Sequence, residues 1–377
     1  MNTRPMLDSL KETYKDRRVL ITGHTGFKGS WLTAWLTHMG AQVTGLALDP
    51  DQGDHNLFDR AALTDFCVRD YRSNICDEEA VQAVFDEAQP EIVIHLAAQA
   101  LVRPSYDGPV ETFRTNVLGT AHILEAARQT QSVEATVCVT TDKVYENKEW
   151  HWPYRENDRL GGLDPYSASK SAAEMVAHAY MQTLPATGAR QHYIATARGG
   201  NVVGGGDWST DRIVPDIVRS IRADKPLTIR NPDAVRPWQH VLELCYGYLS
   251  LGQRLLNGWP ERQMSAHDFS GSWNFGPDAK NEITVAELIS IMLDAWGSTS
   301  IDVELIPSSL HESTHLRLDC SKAHAVLGWR GLMGPKQTFA WTADWYRDYL
   351  SDNSEARKIT LDQICNFEFL IAKQVEK

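Results

Sequence analysis

The chain has 377 residues, 42% hydrophobic and 23% charged, with 37 Lys+Arg against 49 Asp+Glu for a net charge of −12. This is a soluble globular balance for two domains or one large one, and it excludes wholesale disorder, collagen-like repeats and a small disulfide scaffold. The acidic balance argues against nucleic-acid binding, which needs a basic face, and no apolar run nears the ~20 residues of a membrane helix.

Residues 1–18 lack the apolar stretch of a signal peptide, and the six cysteines are scattered with no CxxC pair. A cytoplasmic protein with free thiols, no disulfide framework and no metal knuckle is the expectation. The twelve tryptophans are assigned to core and interface packing.

Residues 18–22 read as a short apolar strand that runs into Gly23-His-Thr-Gly26-Phe-Lys-Gly29. A helix is predicted from Ser30 to about Met39, stopped by Gly40, and a second strand over 41–48. Helical patterning returns over 78–88. The continuous apolar run 92–98 predicts a parallel strand buried on both faces. A helix over 110–129, a strand over 135–141, a helix over 164–184 and a strand over 191–198 follow. Such alternation predicts a Rossmann-like α/β fold, a doubly wound parallel sheet. After Arg198 the alternation loosens into loops at 204–208 and 236–238. Residues 1–200, with parts of 237–280, are expected to form the dinucleotide-binding domain. Residues 201–350 would mainly form a smaller substrate-binding lobe, and 351–377 a peripheral tail.

Gly23, Gly26 and Gly29 follow a strand and open a helix, the setting in which tight turns and close backbone approach serve a pyrophosphate. Their spacing differs by one residue from the G-x-G-x-x-G fingerprint. Asp49 lies 20 residues beyond Gly29, at the end of the second strand. It is suited to ribose hydroxyls and would repel a 2′-phosphate, favouring NAD over NADP, against the plainer reading of a loop aspartate before Pro50. Lys28 adds a basic side chain that can touch phosphate.

Tyr166 and Lys170 are spaced i, i+4 at a predicted helix start, so they share a face. An ammonium beside a phenol stabilises phenolate and lowers its pKa, which suits a base for a substrate hydroxyl. Thr141, Asp142 and Lys143 follow a strand end, where parallel sheets collect their chemistry. They offer a hydroxyl contact, an acid and a potential base; a salt-bridging surface turn is the plainer alternative.

With these residues assembled, the chain resembles the extended short-chain dehydrogenase/reductase family over about residues 15–345. Supporting stretches are Leu96-Ala-Ala98, Thr115-Asn116 with Gly119-Thr120, and Arg198-Gly-Gly-Asn201. The runs 23–32, 164–170, 201–208 and 236–241, with Asp142-Lys143, are similar to the branch that dehydrates nucleotide sugars. That resemblance implies NAD, a nucleotide-sugar substrate (CDP-glucose), oxidation at sugar C4, loss of water across C5 and C6, and return of hydride to C6. The product would feed deoxysugar and surface-polysaccharide synthesis.

By the same resemblance Tyr166 is the C4 base, Lys170 its partner, Thr141 a C4-oxygen contact, and Asp142 the acid at C6. Lys143 is the C5 base, a role that requires burial or positive neighbours to depress its pKa. Thr25, Phe27, Leu96, Ala97, Ala98, Gln99 and Thr115 line the cofactor, with Asn74-Ile75 where an Asp-Ile pair is usual. Asn201 contacts the diphosphate, Arg212 and Arg236 clamp phosphate, and Arg103 and His311 are further substrate contacts. The helices over 110–129 and 164–184 imply a homodimer, extendable to a higher homo-oligomer. A nucleotide-sugar 4-epimerase would share Tyr166 and Lys170 but not need Asp142-Lys143. A non-catalytic NAD-sensing protein could dispense with the Tyr166–Lys170 pair.

Overall fold

The computed structural model describes residues 6–50, 55–186, 191–278, 281–297, 301–306 and 316–374. Helix α1 (Met6–Tyr14) precedes β1 (Arg18–Thr22), α2 (Phe27–His38) and β2 (Gln42–Ala47). A short α3 (Leu57–Arg60), β3 (Cys67–Arg72), α4 (Glu78–Ala88) and β4 (Ile92–His95) follow. Then come α5 (Val102–Asp107), α6 (Pro109–Phe113), α7 (Gly119–Gln129), β5 (Ala135–Val139), α8 (Pro165–Ala186) and β6 (Tyr193–Gly199).

The main sheet has seven parallel strands in the order β11-β6-β5-β4-β1-β2-β3, with β11 (Gly271–Phe275) joining from the later half of the chain. This bears out the doubly wound α/β expectation. Strands β4 and β5 are buried at every position, so their sequences are near-continuous apolar runs. Strand order reverses between β1 and β4, and ligands of such sheets bind in the crevice at the carboxyl ends there.

A buried chain braces that crevice. The Ala97 amide donates to Thr22 Oγ1 (3.1 Å), and Thr22 meets His95 Nδ1 (2.7 Å). His95 Nε2 meets Thr120 Oγ1 (3.1 Å), which itself donates to the Asn116 carbonyl. Because Thr120 spends its proton on Asn116, His95 carries a proton on Nε2, and in the neutral ring Nδ1 accepts from Thr22. Burial agrees, holding the imidazole down at about 3.

The helix predicted over 110–129 is in fact α6, a π turn at Arg114–Leu118, and α7. The wider turn re-aims one residue. Asn116 there donates to the Gln99 carbonyl (3.0 Å) and to Ser169 Oγ (2.8 Å), tying the β4 loop to α8.

Beyond β6 come β7 (Val202–Val203), α9 (Ile213–Ala223), β8 (Leu227–Ile229), β9 (Val235–Arg236), β10 (Gln239–His240) and α10 (Val241–Asn257). After β11 follow β12 (Ile283–Thr284), α11 (Val285–Trp296), β13 (Val303–Leu305), α12 (Pro335–Ser351) and α13 (Ala356–Lys373). Three two-stranded ribbons form here: β10 with β7, β12 with β9, and β13 with β8.

The expectation of a peripheral tail is corrected by α13. Its Ile364, Phe367 and Ile371 lie in the main core, and Phe367 meets Trp35 edge-on at 5.7 Å. Trp35 Nε1 donates to Glu368 Oε1 at 3.0 Å. The cause lies in α2, buried continuously from Gly29 to Leu36 and therefore in need of cover on its outer side. Trp31, Trp35, Trp273, Trp329 and Trp345 are fully buried, whereas Trp152 is 69% exposed.

Candidate active site

The turn between β1 and α2 is held by glycine. Gly23 has φ +74°, and a Cβ there would lie 2.8 Å from the Ala97 amide nitrogen. A Cβ on Gly29 would lie 2.1 Å from the Gly23 carbonyl oxygen. The N-cap of α2 is Gly26, with no side-chain cap, so the first-turn amides remain for an anion. Thr25 Oγ1 donates to the Leu48 carbonyl (3.1 Å), bringing the end of β2 beside this turn. Asp49 is exposed immediately beyond. Together these fit the diphosphate and ribose of a dinucleotide.

Phe27 packs on the main core. Leu96, Ala97, Ala98 and Gln99 follow β4 along the crevice, where the Leu96 amide donates to the Thr22 carbonyl (3.1 Å). Gln99 is clamped by Asn116 through its amide (2.8 Å). Asn74 Oδ1 is used locally, accepting from the Cys76 amide (2.9 Å), and Ile75 is buried beneath Gly119. Thr115 Oγ1 lies 3.8 Å from Cys76 Sγ. These three residues gather at one place.

Helix α8 presents Tyr166 and Lys170, both buried. Ser105 Oγ accepts the Tyr166 amide at 3.2 Å, and Lys170 Nζ donates to the Val139 carbonyl at 3.0 Å. Burial pushes Tyr166 up to about 12 against a hydrogen bond with Thr141. Burial likewise brings Lys170 down to about 8, opposed by Glu174. Burial thus works against charge on both groups.

Thr141 leads a short 3₁₀ turn at Asp142–Val144 and donates to Asp142 Oδ1 at 2.9 Å. Asp142 is 3% exposed, and burial pushes its carboxyl above the usual range against Lys143, Thr141 and Arg236. Lys143 is half-buried beside it. A Cβ on Gly200 would lie 3.3 Å from Asp142 Oδ2, so the carboxyl closely faces the backbone leading to Asn201. The Asn201 carbonyl accepts from the Gln239 amide (3.0 Å).

Lys28, expected at phosphate, faces this same centre. Burial, then Lys170 and Arg212, bring its ammonium down to about 8. Arg212 pairs with Asp207 at 2.8 Å and also acts on Tyr166. Arg103 pairs with the adjacent Asp211 at 3.3 Å. Arg236 bonds the Val235 carbonyl (3.0 Å) and acts on Asp142. His311 lies outside the described residues. The structure therefore brings Lys28, Thr141, Asp142, Tyr166, Lys170, Arg212 and Arg236 to one centre. Ser105 and Glu174 escaped the sequence reading, although Glu174 repeats the i, i+4 step from Lys170 and was open to detection by that spacing.

The family model described as GDP-mannose 4,6 dehydratase matches residues 20–340. The chain belongs to the GDP-mannose 4,6 dehydratase family. This also bears out the resemblance to the extended short-chain dehydrogenases/reductases. Within the family, a CDP-glucose 4,6-dehydratase of Salmonella typhimurium is 44% identical over 347 residues, 90% of this chain and 93% of the relative. A dTDP-glucose 4,6-dehydratase of Streptomyces antibioticus is 29% identical, over 88% and 92% of the two chains. Among solved structures, the dTDP-glucose 4,6-dehydratase of Streptomyces venezuelae, with NAD and TYD bound, has TM-score 0.72 and 25% identity, covering 89% and 98%. The UDP-glucose 4-epimerase of Thermus thermophilus in complex with NAD has TM-score 0.73 and 26% identity, covering 88% and 99%.

Proposed function

We propose that this chain is an NAD-dependent CDP-glucose 4,6-dehydratase, a hydro-lyase yielding CDP-4-dehydro-6-deoxyglucose and water. The observation that carries the reading is Asp142. A buried carboxyl whose burial favours the protonated form is suited to protonating a departing hydroxyl, a need that 4-epimerisation does not create. The 44% identical relative supports the same reaction and nucleotide.

NAD, bound at the Gly23–Gly29 turn, would supply the hydride acceptor at C4 and the donor at C6. Tyr166 would take the C4 hydroxyl proton, with Thr141 orienting that oxygen and Lys170 stabilising the phenolate. Lys143 would remove the C5 proton made acidic by the C4 ketone, and Asp142 would protonate the C6 hydroxyl. Arg212 and Arg236 match phosphate oxygens, with Arg103, Asn201 and His311 as outer substrate contacts. Asp49 would hold the adenosine ribose, and Asn74, Ile75 and Thr115 the adenine end.

The reading extends to assembly and place. Val110, Phe113, Leu118 and Met175 are exposed apolar residues on α6, the following π turn and α8, which supports pairing of these helices in a homodimer. The free cysteines suit the cytoplasm. Among the described residues no helix is long and apolar enough to cross a membrane. Incubation with NAD and, separately, CDP-, UDP-, dTDP- and GDP-glucose tests the proposal. Loss of one water from CDP-glucose is the expected mass change; unchanged CDP-glucose would overturn it.

A further inference from the structure

Behind the catalytic face lies an ion pair to which the proposed chemistry gives no part. Glu174 stands one turn beyond Lys170 on α8, 2.8 Å from Arg198 at the end of β6, and both side chains are 2% exposed. A buried pair is a poor source of stability, because apolar replacements often serve as well, so its presence calls for another explanation.

The hydrogen bonds of the pair supply one. Thr140 Oγ1 donates to Glu174 Oε1 (2.5 Å), while Thr196 and Ser272 hydroxyls donate to Oε2 (2.8 and 3.2 Å). The carboxylate thus joins β6, β11 and the residue just past β5. Thr140 lies between Val139, whose carbonyl holds Lys170, and Thr141. Arg198 donates onward to the Tyr145 hydroxyl (2.8 Å) and the Glu156 carbonyl (2.9 Å). The pair therefore grips both flanks of the turn carrying Asp142 and Lys143.

It also sets the charge around Lys170. Cys138 on β5, His95 on β4 and Lys28 on α2 face the ammonium, with Glu174 on its own helix. Burial keeps Cys138 and His95 neutral, and Lys28 is a cation or neutral. Burial works against charge on Glu174 too, but Arg198 and the Thr140 and Thr196 hydroxyls together more than offset it. Glu174 is the carboxylate in this set.

We propose that Glu174, held ionised by Arg198, is a positioning residue that keeps the Lys170 ammonium charged beside Tyr166 and fixes the turn bearing Asp142 and Lys143. This rests on the reading of Tyr166 and Lys170 given above. Glu174→Gln keeps the shape and removes the charge. In lysine ¹³Cε NMR of the whole protein, with Lys170 assigned through Lys170→Met, the Lys170 midpoint should fall by about one pH unit. The alkaline limb of kcat/KM for dehydration should move the same way, and Glu174→Asp should restore much of both. A purely structural role would lower Tm and leave the midpoint in place; an unmoved midpoint overturns the proposal. Should Arg198, left unpaired, prevent folding, Glu174→Gln with Arg198→Met removes both charges, and the midpoint should still fall. The titration needs no substrate. A shifted midpoint in a protein that dehydrates no nucleotide sugar sinks only the reaction reading, while normal dehydration with an unmoved midpoint sinks only this inference.

Discussion

Asp142 combines two properties that seldom coincide at a surface turn: it is buried, and Lys143, Thr141 and Arg236 surround it without reversing the effect of burial. Elimination of water needs an acid because hydroxide is a poor leaving group. Asp142→Asn keeps the shape and removes the acid, so it should slow water loss ~10²–10⁴-fold. Binding of the sugar nucleotide, measured by calorimetry, should change far less. Tyr166 and Lys143 act at different points and separate under a rapid quench. Lys143→Met should let the sugar lose two hydrogens at C4 yet keep its water, whereas Tyr166→Phe should leave the sugar intact. Dehydration by Lys143→Met at the parent rate would reduce Lys143 to a surface cation and require another C5 base.

Among the elements, the β1–α2 turn has the least room for change. Gly29→Ala would drive a methyl into the Gly23 carbonyl and the His24 backbone, both under 3 Å away. A loss of about 1–3 kcal/mol in stability and a sharp loss of NAD affinity should follow, read by thermal unfolding and titration calorimetry. The outer face of α8 is open to a different test. Met175→Glu puts a charge on the exposed apolar face, and light scattering should report a monomer for the variant and the proposed dimer for the parent. A parent that is already monomeric at micromolar concentration would remove the dimer proposal.

These elements also mark how far the chain could be read before folding. Strands β1, β4, β5 and β6 announce themselves because burial on both faces demands mostly apolar runs. Strand β3 went unread because it is the sheet edge: Val68 and Arg69 are exposed, so no buried pattern was required of it. The π turn was invisible, since a helical stripe looks the same until Asn116 is seen reaching Gln99 and Ser169. Tyr166, Lys170 and Asp142 were legible from spacing and strand ends. The place of Lys28 among them was not, because only the folded chain brings the start of α2 near Lys170 and Arg212.

At the scale of the molecule, pH acts through groups remote from the chemistry. Glu243 on α10 is buried, its Oε1 accepting the Leu332 and Met333 amides (2.8 and 2.7 Å), and burial lifts its carboxyl to about 8. The folded state therefore binds a proton that an unfolded chain releases near about 4.3. The associated stability is complete below that value and is lost as pH rises through 8. Thermal unfolding of Glu243→Gln should match the parent at pH 5 and exceed it at pH 9; parallel decline of both proteins would discount Glu243.

The docking of α13 on α2 has a consequence for synthesis. A ribosome extends the chain from the amino end, and amino-terminal units ordinarily fold while the rest is being made. Here Trp35 on α2 reaches its partners Phe367 and Glu368 only once α13, more than 300 residues later, is translated. A nascent chain halted before residue 356 thus carries an apolar helix with one side bare, the kind of surface that chaperones bind. Emergence of α13, rather than completion of the sheet, is the moment at which α2 can be covered.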